Sequence, residues 1–232
     1  MTVLAVIGDV HTNYDALRAV VSSIQNAGDV EGVLLTGDIT TTPRTFGAAP
    51  LPEDVEMARE EVRLTLQEVG SAGLPFAYVF GNHDPQGVFP PIFNEGRFAH
   101  GRIVDVAGVR VAGLGGASFQ FGWAGEWHMH NVFPDGSRAD VLLSHSPPPG
   151  PAARLRGGGI VREPVVQEVA DALGVQAIAC GHIHESKGFY GEENPPVLNA
   201  GALGRPYPWV GWGRLEITPE GVTGALVPVG GP

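Results

Sequence analysis

Five short polar clusters in this chain each follow directly on an apolar run: Gly8-Asp9-Val10-His11, Gly37-Asp38, Gly81-Asn82-His83-Asp84, Ser144-His145 and Gly181-His182-Ile183-His184. Carboxylate, imidazole and amide oxygen are donors for borderline or hard divalent ions such as Mn, Fe, Zn or Co, and the lack of paired thiolates excludes a soft structural site. Alternate residues of an extended chain point the same way, so Asp9 and His11 are placed to grip one ion. Asp9, His11, Asp38, Asn82, His145, His182 and His184 are too many donors for a single ion. Two ions sharing a carboxylate is the economical reading.

The elements that must carry these clusters are legible from hydrophobic pattern. β-rich apolar runs cover 3–7, 32–36, 76–80, 102–106, 109–114, 141–144, 177–180, 197–199, 213–218 and 222–229, and near-continuous apolar strands mean sheets covered on both faces. Helical periodicity runs from Asn13 to Ala27, with Leu17, Val20, Val21 and Ile24 on one face, from Pro52 to Ser71, and from Glu163 to Leu173. The first half alternates strand and helix; the second is richer in strands joined by short turns such as Pro219-Glu220-Gly221. The order predicts an α/β fold of two packed sheets with helices outside, over a single domain spanning 1–232 with no internal repeat. Ligands in open α/β sheets collect beyond the carboxyl ends of strands, so the five clusters can converge on one crevice.

Composition narrows the function. The chain has 25 Asp and Glu against 14 Lys and Arg, a net charge of −11, which opposes attraction to a phosphate backbone or an anionic membrane. Binding to duplex nucleic acid or to a membrane is not expected. A single cysteine, Cys180, excludes an internal disulfide and a Cys-based zinc site. No apolar run reaches the roughly 18 residues of a membrane span, and the opening Val3–Ile7 run is too short, and lacks the charged flank, for a signal peptide. The expectation is a cytoplasmic protein.

The clusters, in their order along the chain, resemble the calcineurin-like metallophosphoesterases, whose blocks run Asp-x-His, Gly-Asp, Gly-Asn-His-Asp/Glu, His and Gly-His-x-His. Asn199-Ala200-Gly201 is similar to the family's Asn-Pro-Gly turn. The resemblance implies a four-layer αββα sandwich and two divalent or mixed-valence ions. It implies that Asp9, His11 and His184 hold one ion, that Asn82, His145 and His182 hold the other, and that Asp38 bridges them. It further implies a bridging hydroxide as nucleophile attacking phosphorus in line with the leaving oxygen, the ions standing about 3.5–4 Å apart. His83 is the catalytic residue it points to, steadying the transition state or protonating the leaving group.

Departures from the pattern bear on substrate. The protein serine/threonine phosphatases of the superfamily carry an acid three positions after the bridging aspartate; Thr41 stands there in this chain, which argues against a phosphoprotein phosphatase and leaves open what orients His83. The lipid-precursor pyrophosphatases tend to have Arg where His83 stands, so that branch is also disfavoured. Ser144-His145-Ser146-Pro147-Pro148 is similar to the small bacterial phosphodiesterase-like branch. The expected substrate is therefore a small phosphate ester, a diester ahead of a monoester, with a non-catalytic scaffold of the same fold as the rival.

Specificity is expected from the rim. The loops from Thr40 to Pro52 and from Ala117 to Asn131 are long and lie beside ligand-bearing strands. Trp123 and Trp127 are candidates to stack on an apolar or base-like substrate group, His128, with His130, to face the pocket, and Arg205 to make a second phosphate contact. His100 reads as a surface residue, Lys187 has no evident role, and Gly113-Leu114-Gly115-Gly116 reads as a turn rather than a nucleotide fingerprint.

Overall fold

The computed structural model describes residues 1–41, 51–89, 96–118, 132–204 and 208–230. They form two six-stranded sheets. The first has strands β1 (Thr2–Ile7), β2 (Gly32–Leu35), β3 (Phe76–Tyr78), β4 (Arg97–Phe98), β11 (Gly211–Thr218) and β12 (Gly221–Pro228), in the order β12-β11-β1-β2-β3-β4. The second has β5 (Ile103–Val106), β6 (Val109–Leu114), β7 (Val141–Ser144), β8 (Ala177–Cys180), β9 (Gly188–Tyr190) and β10 (Val197–Asn199), in the order β5-β6-β7-β8-β10-β9. Strands β1 to β4 run parallel, as do β6, β7, β8 and β10, while the remaining pairings are antiparallel.

Strand periodicity sorts the side chains into layers. Val3, Ala5 and Ile7 of β1 face the helices α1 (Tyr14–Ala27) and α2 (Pro52–Gly70), whereas Leu4 and Val6 face the other sheet. In β8 the alternation is repeated: Ala177 and Ala179 point between the sheets, and Ile178 and Cys180 point to α3 (Pro164–Leu173). The result is the expected αββα order with three apolar layers. Truncating a fully buried central residue such as Leu143 to Ala is a change that costs roughly 2–5 kcal/mol.

The helices begin and end where their residues dictate. Asn13 caps α1, its side-chain oxygen accepting the Ala16 N–H at 3.3 Å, and Gly28 at φ 74° ends it. The buried stripe is Leu17, Val20, Val21 and Ile24, as the periodicity predicts. Pro52 and Pro164 open α2 and α3, positions where the missing N–H costs nothing. Among the described residues, no helix is long and apolar enough to cross a membrane.

Three sequence readings need correction. His100 is partly buried: its Nδ1 accepts the Gly115 N–H at 3.0 Å, and its ring lies 4.6 Å from that of Phe80. Gly113 and Leu114 are the end of β6 rather than a turn, and irregular chain begins at Gly115. The edge strands β4 and β9 were not expected, because two or three residues carry too little pattern to register.

Candidate metal centre

Every cluster singled out in the sequence leaves the carboxyl end of a parallel strand. Asp9 and His11 follow β1, Asp38 follows β2, Asn82 and His83 follow β3, His145 follows β7, and His182 and His184 follow β8. The first three come from one sheet and the last two from the other, so the site sits where the two sheets' strand ends meet.

Glycines make that meeting possible. A β-carbon on Gly81 would collide with the Asp38 carboxylate, one on Gly181 with the Asp9 carboxylate, and one on Gly8 with the Gly201 carbonyl. The glycine heading each of these clusters is therefore the space into which another cluster's carboxylate or backbone fits. Backbone geometry is also unusual at the donors: His11 (φ 44°), Asp38 (φ 45°) and His182 (φ 63°) are left-handed. Asp9 and His11 thus converge because the chain turns at His11, and not through the alternation of an extended strand. The Asn199-Ala200-Gly201 turn locks Asp9 in place, Gly201 O accepting the Asp9 N–H at 3.0 Å and Asp9 O accepting the Leu203 N–H at 2.8 Å.

Two groups of donors result. Asp9, His11 and His184 form one, and Asp38, His145 and His182 the other; within each, donor atoms lie within 4.8 Å of one another. His184 Nε2 is 2.9 Å from Asp9 Oδ2, and His145 Nε2 is 2.9 Å from Asn82 Oδ1. Asp38 lies between the groups: its Oδ2 is 3.7 Å from His11 Nε2, 3.6 Å from His145 Nε2 and 4.0 Å from His83 Nε2.

The chemistry of these donors fits metal ions. His145 Nδ1 lies 3.0 Å from the Thr36 carbonyl; in the tautomer that donates there, Nε2 is an acceptor turned toward the Asn82 oxygen. Two acceptors facing one another are reconciled by a cation between them. His11 is set in the same way, with Nδ1 at 3.3 Å from the Thr40 carbonyl and Nε2 turned to Asp38. Burial alone would raise the Asp38 pKa, but the imidazoles of His145, His83 and His11 and the His83 N–H at 2.7 Å hold it well below the usual carboxylate range. Asp9 is likewise lowered: its burial is outweighed by His184 and His145. Burial, reinforced by His145, pushes His182 down to about 4. For His184, burial acts downward, yet the hydrogen bond and charge of Asp9 leave its pKa raised. Carboxylates held ionised, as Asp9 and Asp38 are, and an imidazole held neutral, as His182 is, suit a divalent ion, whereas His184 must release a proton to bind one.

A supporting layer surrounds the donors. Thr36 Oγ1 donates to Asp9 Oδ1 at 3.1 Å, and the buried Asp84 accepts the N–H groups of Ile39, Thr40 and Gly81 at 3.2, 2.8 and 2.8 Å, tying the second cluster to the third. Burial and the nearby Asp38 charge push the Asp84 pKa up to about 6 against those three bonds. His83 is fixed through its backbone, N–H to Asp38 and carbonyl to the Thr40 hydroxyl at 2.7 Å, while its ring meets that of His11 edge-on at 4.9 Å. Burial lowers its pKa. Thr41 brings an acid to this region indirectly: Glu61 of α2 accepts the Thr41 N–H at 3.3 Å and its hydroxyl at 3.4 Å. Sequence reasoning missed Thr36 and Glu61, whose roles arise only from long-range packing, and gave Asp84 no role although it stands in the third cluster.

A protein-family model, that of the calcineurin-like phosphoesterases, matches residues 2–186. The chain belongs to the calcineurin-like phosphoesterase family. The part beyond the match is integral to the same sheets, since β10 pairs with β8 and β11 with β1. Family membership makes the protein metal-dependent in kind, and the two donor groups are its candidate ion sites.

Solved structures agree on the fold. One crystal structure, 17% identical, superposes with a TM-score of 0.72 over 98% of this chain and 99% of its own. The crystal structure of TT1561 of Thermus thermophilus is 16% identical, with a TM-score of 0.64 over 97% of this chain and 98% of its own. A hypothetical protein from the same organism is 12% identical, with a TM-score of 0.50, over 99% and 100%. At such identities the likeness speaks for the fold alone. No curated protein matches the chain in sequence. The rim candidates Trp123, Trp127, His128, His130 and Arg205 lie outside the described residues.

Proposed function

We propose that this phosphoesterase hydrolyses small phosphate esters at a dinuclear metal centre, phosphodiesters in preference to monoesters. The observation that carries the reading is the place of Asp38, one carboxylate oxygen lying within 3.7 Å of an imidazole nitrogen from each donor group. Asp9, His11 and His184 would hold one ion, Asn82, His145 and His182 the other, and Asp38 both. The chemistry that two such ions supply is an acidified water as nucleophile and neutralisation of the phosphoryl oxygens.

The chain's own residues do the rest. Thr36 and Thr40 orient His145 and His11 through their carbonyls, and Asp84 holds the backbone on which Asp38 and His83 sit. His83, its side chain 23% exposed and its Nε2 4.0 Å from Asp38, would present an N–H to a phosphoryl or leaving oxygen. The diester preference rests on the Ser144-His145-Ser146-Pro147-Pro148 run.

The test is metal analysis together with hydrolysis of bis-(p-nitrophenyl) phosphate and of p-nitrophenyl phosphate by protein loaded with Mn, Fe, Zn or Co. Two ions per chain with faster diester turnover are expected. Metal-bound protein that turns over neither ester would leave the scaffold reading standing.

A further inference from the structure

A cavity of about 600 Å³ opens beside the candidate metal centre, on the side of the turn that carries His184. One wall is that turn, His184–Ser186, with Lys187 immediately after it; the other is a tight hairpin closed by an antiparallel bridge between Arg154 and Ile160. Leu155 N–H donates to the Gly159 carbonyl at 2.7 Å and Gly158 N–H to the Leu155 carbonyl at 2.8 Å, so the hairpin projects Arg154, Leu155 and Arg156 while its Gly157–Gly159 tip carries no side chain. The two walls are joined, Ser186 donating its hydroxyl to the Arg154 carbonyl and Glu185 Oε1 accepting the Arg156 main-chain N–H at 3.0 Å.

The cavity gathers three cations, Arg154, Arg156 and Lys187, against one lining carboxylate, Glu185, whereas several other arginines are matched singly by acids. Arg18, Arg59, Arg63, Arg110 and Arg214 each pair with a carboxylate. Among the described residues, the Arg154 and Arg156 guanidinium groups and the Lys187 ammonium have no carboxylate within salt-bridge distance. Lys187 is the only lysine in the chain, and its Nζ sits 5.4 Å from the centre of the Trp209 ring, a contact that steadies the stem and leaves the charge available. Its Cβ packs on Gly201, whose carbonyl anchors Asp9. In a chain of net charge −11, three cations against the single Glu185 carboxylate around one cavity are a local positive excess in a field that otherwise repels anions.

We propose that this cavity is an anion subsite, and that it receives a second phosphate carried by the substrate whose ester phosphate lies at the metal centre. The inference rests on the phosphoesterase reading above and narrows it to substrates with two phosphates. Its volume is within the range of about 300–1,000 Å³ that holds small ligands. Leu155, 39% exposed on the cavity wall, offers the apolar contact that the body between the two phosphates would meet.

The test compares thymidine 5′-monophosphate with thymidine 3′,5′-bisphosphate by calorimetry on the manganese-loaded full chain. The bisphosphate is expected to bind roughly 10- to 100-fold more tightly, the return of one or two charge-assisted contacts. In Arg156→Ala/Lys187→Ala the ratio of the two dissociation constants should fall toward one, and Arg156→Glu should lower it in the same direction. Equal affinity of the wild type for both ligands overturns the proposal, as does a variant in which both ligands weaken alike and the ratio persists. Thermal unfolding of each variant confirms that it is folded. Loss of bis-(p-nitrophenyl) phosphate turnover in the wild type would sink the enzymatic reading instead, and it is read from a different assay.

Discussion

The two donor groups differ in how ready they are for an ion. His145 and His182 belong to the more buried group: His145 is fully enclosed, and His182, partly buried, is held down to about 4. His11 and His184 belong to a rim group, with side chains 21% and 16% exposed, and His184 is raised by direct contact with Asp9. His182 meets an ion already deprotonated, whereas His184 must first give up a proton. Burial and a carboxylate partner push the two imidazoles in opposite directions, so the same residue type yields two sites of unequal pH dependence.

The heaviest blow to this arrangement is Asp38→Asn, because Asp38 is common to both groups. Loss of its charge should remove activity to the limit of detection and reduce bound metal to one ion per chain or fewer, measured by elemental analysis. Two retained ions with a near-normal rate would break the two-group description outright. His83→Ala comes next, since it leaves all seven proposed donors in place. The rate should fall by about 10²–10⁴-fold with metal content unchanged. A loss that shrinks with p-nitrophenolate as leaving group would identify a proton donor; equal losses for good and poor leaving groups would identify a stabiliser of the phosphoryl charge.

The pH contrast is tested by metal titration. A histidine with a raised pKa is protonated, and unable to ligate, below that value. Affinity at the outer group should therefore fall about tenfold per pH unit below the His184 pKa, which lies above the ordinary value of about 6.5. In the inner group, His182 near 4 and Asp38 lower still remain able to ligate at pH values where His184 is protonated, so the inner ion should be the later one lost. Manganese binding followed by electron paramagnetic resonance should go from two ions to one between neutral pH and about pH 5.5. Simultaneous loss of both ions would show that the groups act as one.

The sequence made the centre of this molecule legible and its edges obscure. Strands such as Val141–Ser144 and Ala177–Cys180 are short and wholly apolar but for a terminal serine, and each delivers its donors within one to four residues of its end, so the local pattern carries the site. The strands missed, Arg97–Phe98 and Gly188–Tyr190, are edge pieces defined by their neighbours' hydrogen bonds. The supports missed, Thr36 on Asp9 and Glu61 on Thr41, join positions 27 and 20 residues apart and leave no trace in spacing. The cavity between the Arg154 hairpin and the His184 turn was invisible for the same reason: neither stretch, a glycine-rich loop and a lone lysine, has meaning until the fold sets them face to face.

The smallest effect expected is at Glu61, and it sharpens the contrast because this residue reaches only the outer group. Glu61 accepts from Thr41, and the neighbouring Thr40 carbonyl orients His11. Burial and the Asp84 charge raise the Glu61 pKa, opposed by the two Thr41 bonds. A raised carboxyl pKa means that the folded state binds its proton more tightly than the unfolded one, so the stability associated with it is present below about pH 4 and declines as pH rises through the folded value. Glu61→Gln removes that decline and keeps an oxygen acceptor for Thr41. Thermal unfolding of metal-free protein should thus show a gain of about 1 kcal/mol or less at about pH 7 and little change at about pH 4, where the wild-type carboxyl is itself neutral. Manganese affinity at the outer site should fall no more than about threefold, with the inner site unmoved, since the supporting contact is longer than an ideal hydrogen bond. A larger loss confined to the outer site would make Glu61 the acid that this chain supplies in place of the one missing at Thr41; a loss at both sites would instead place it in the general packing of α2.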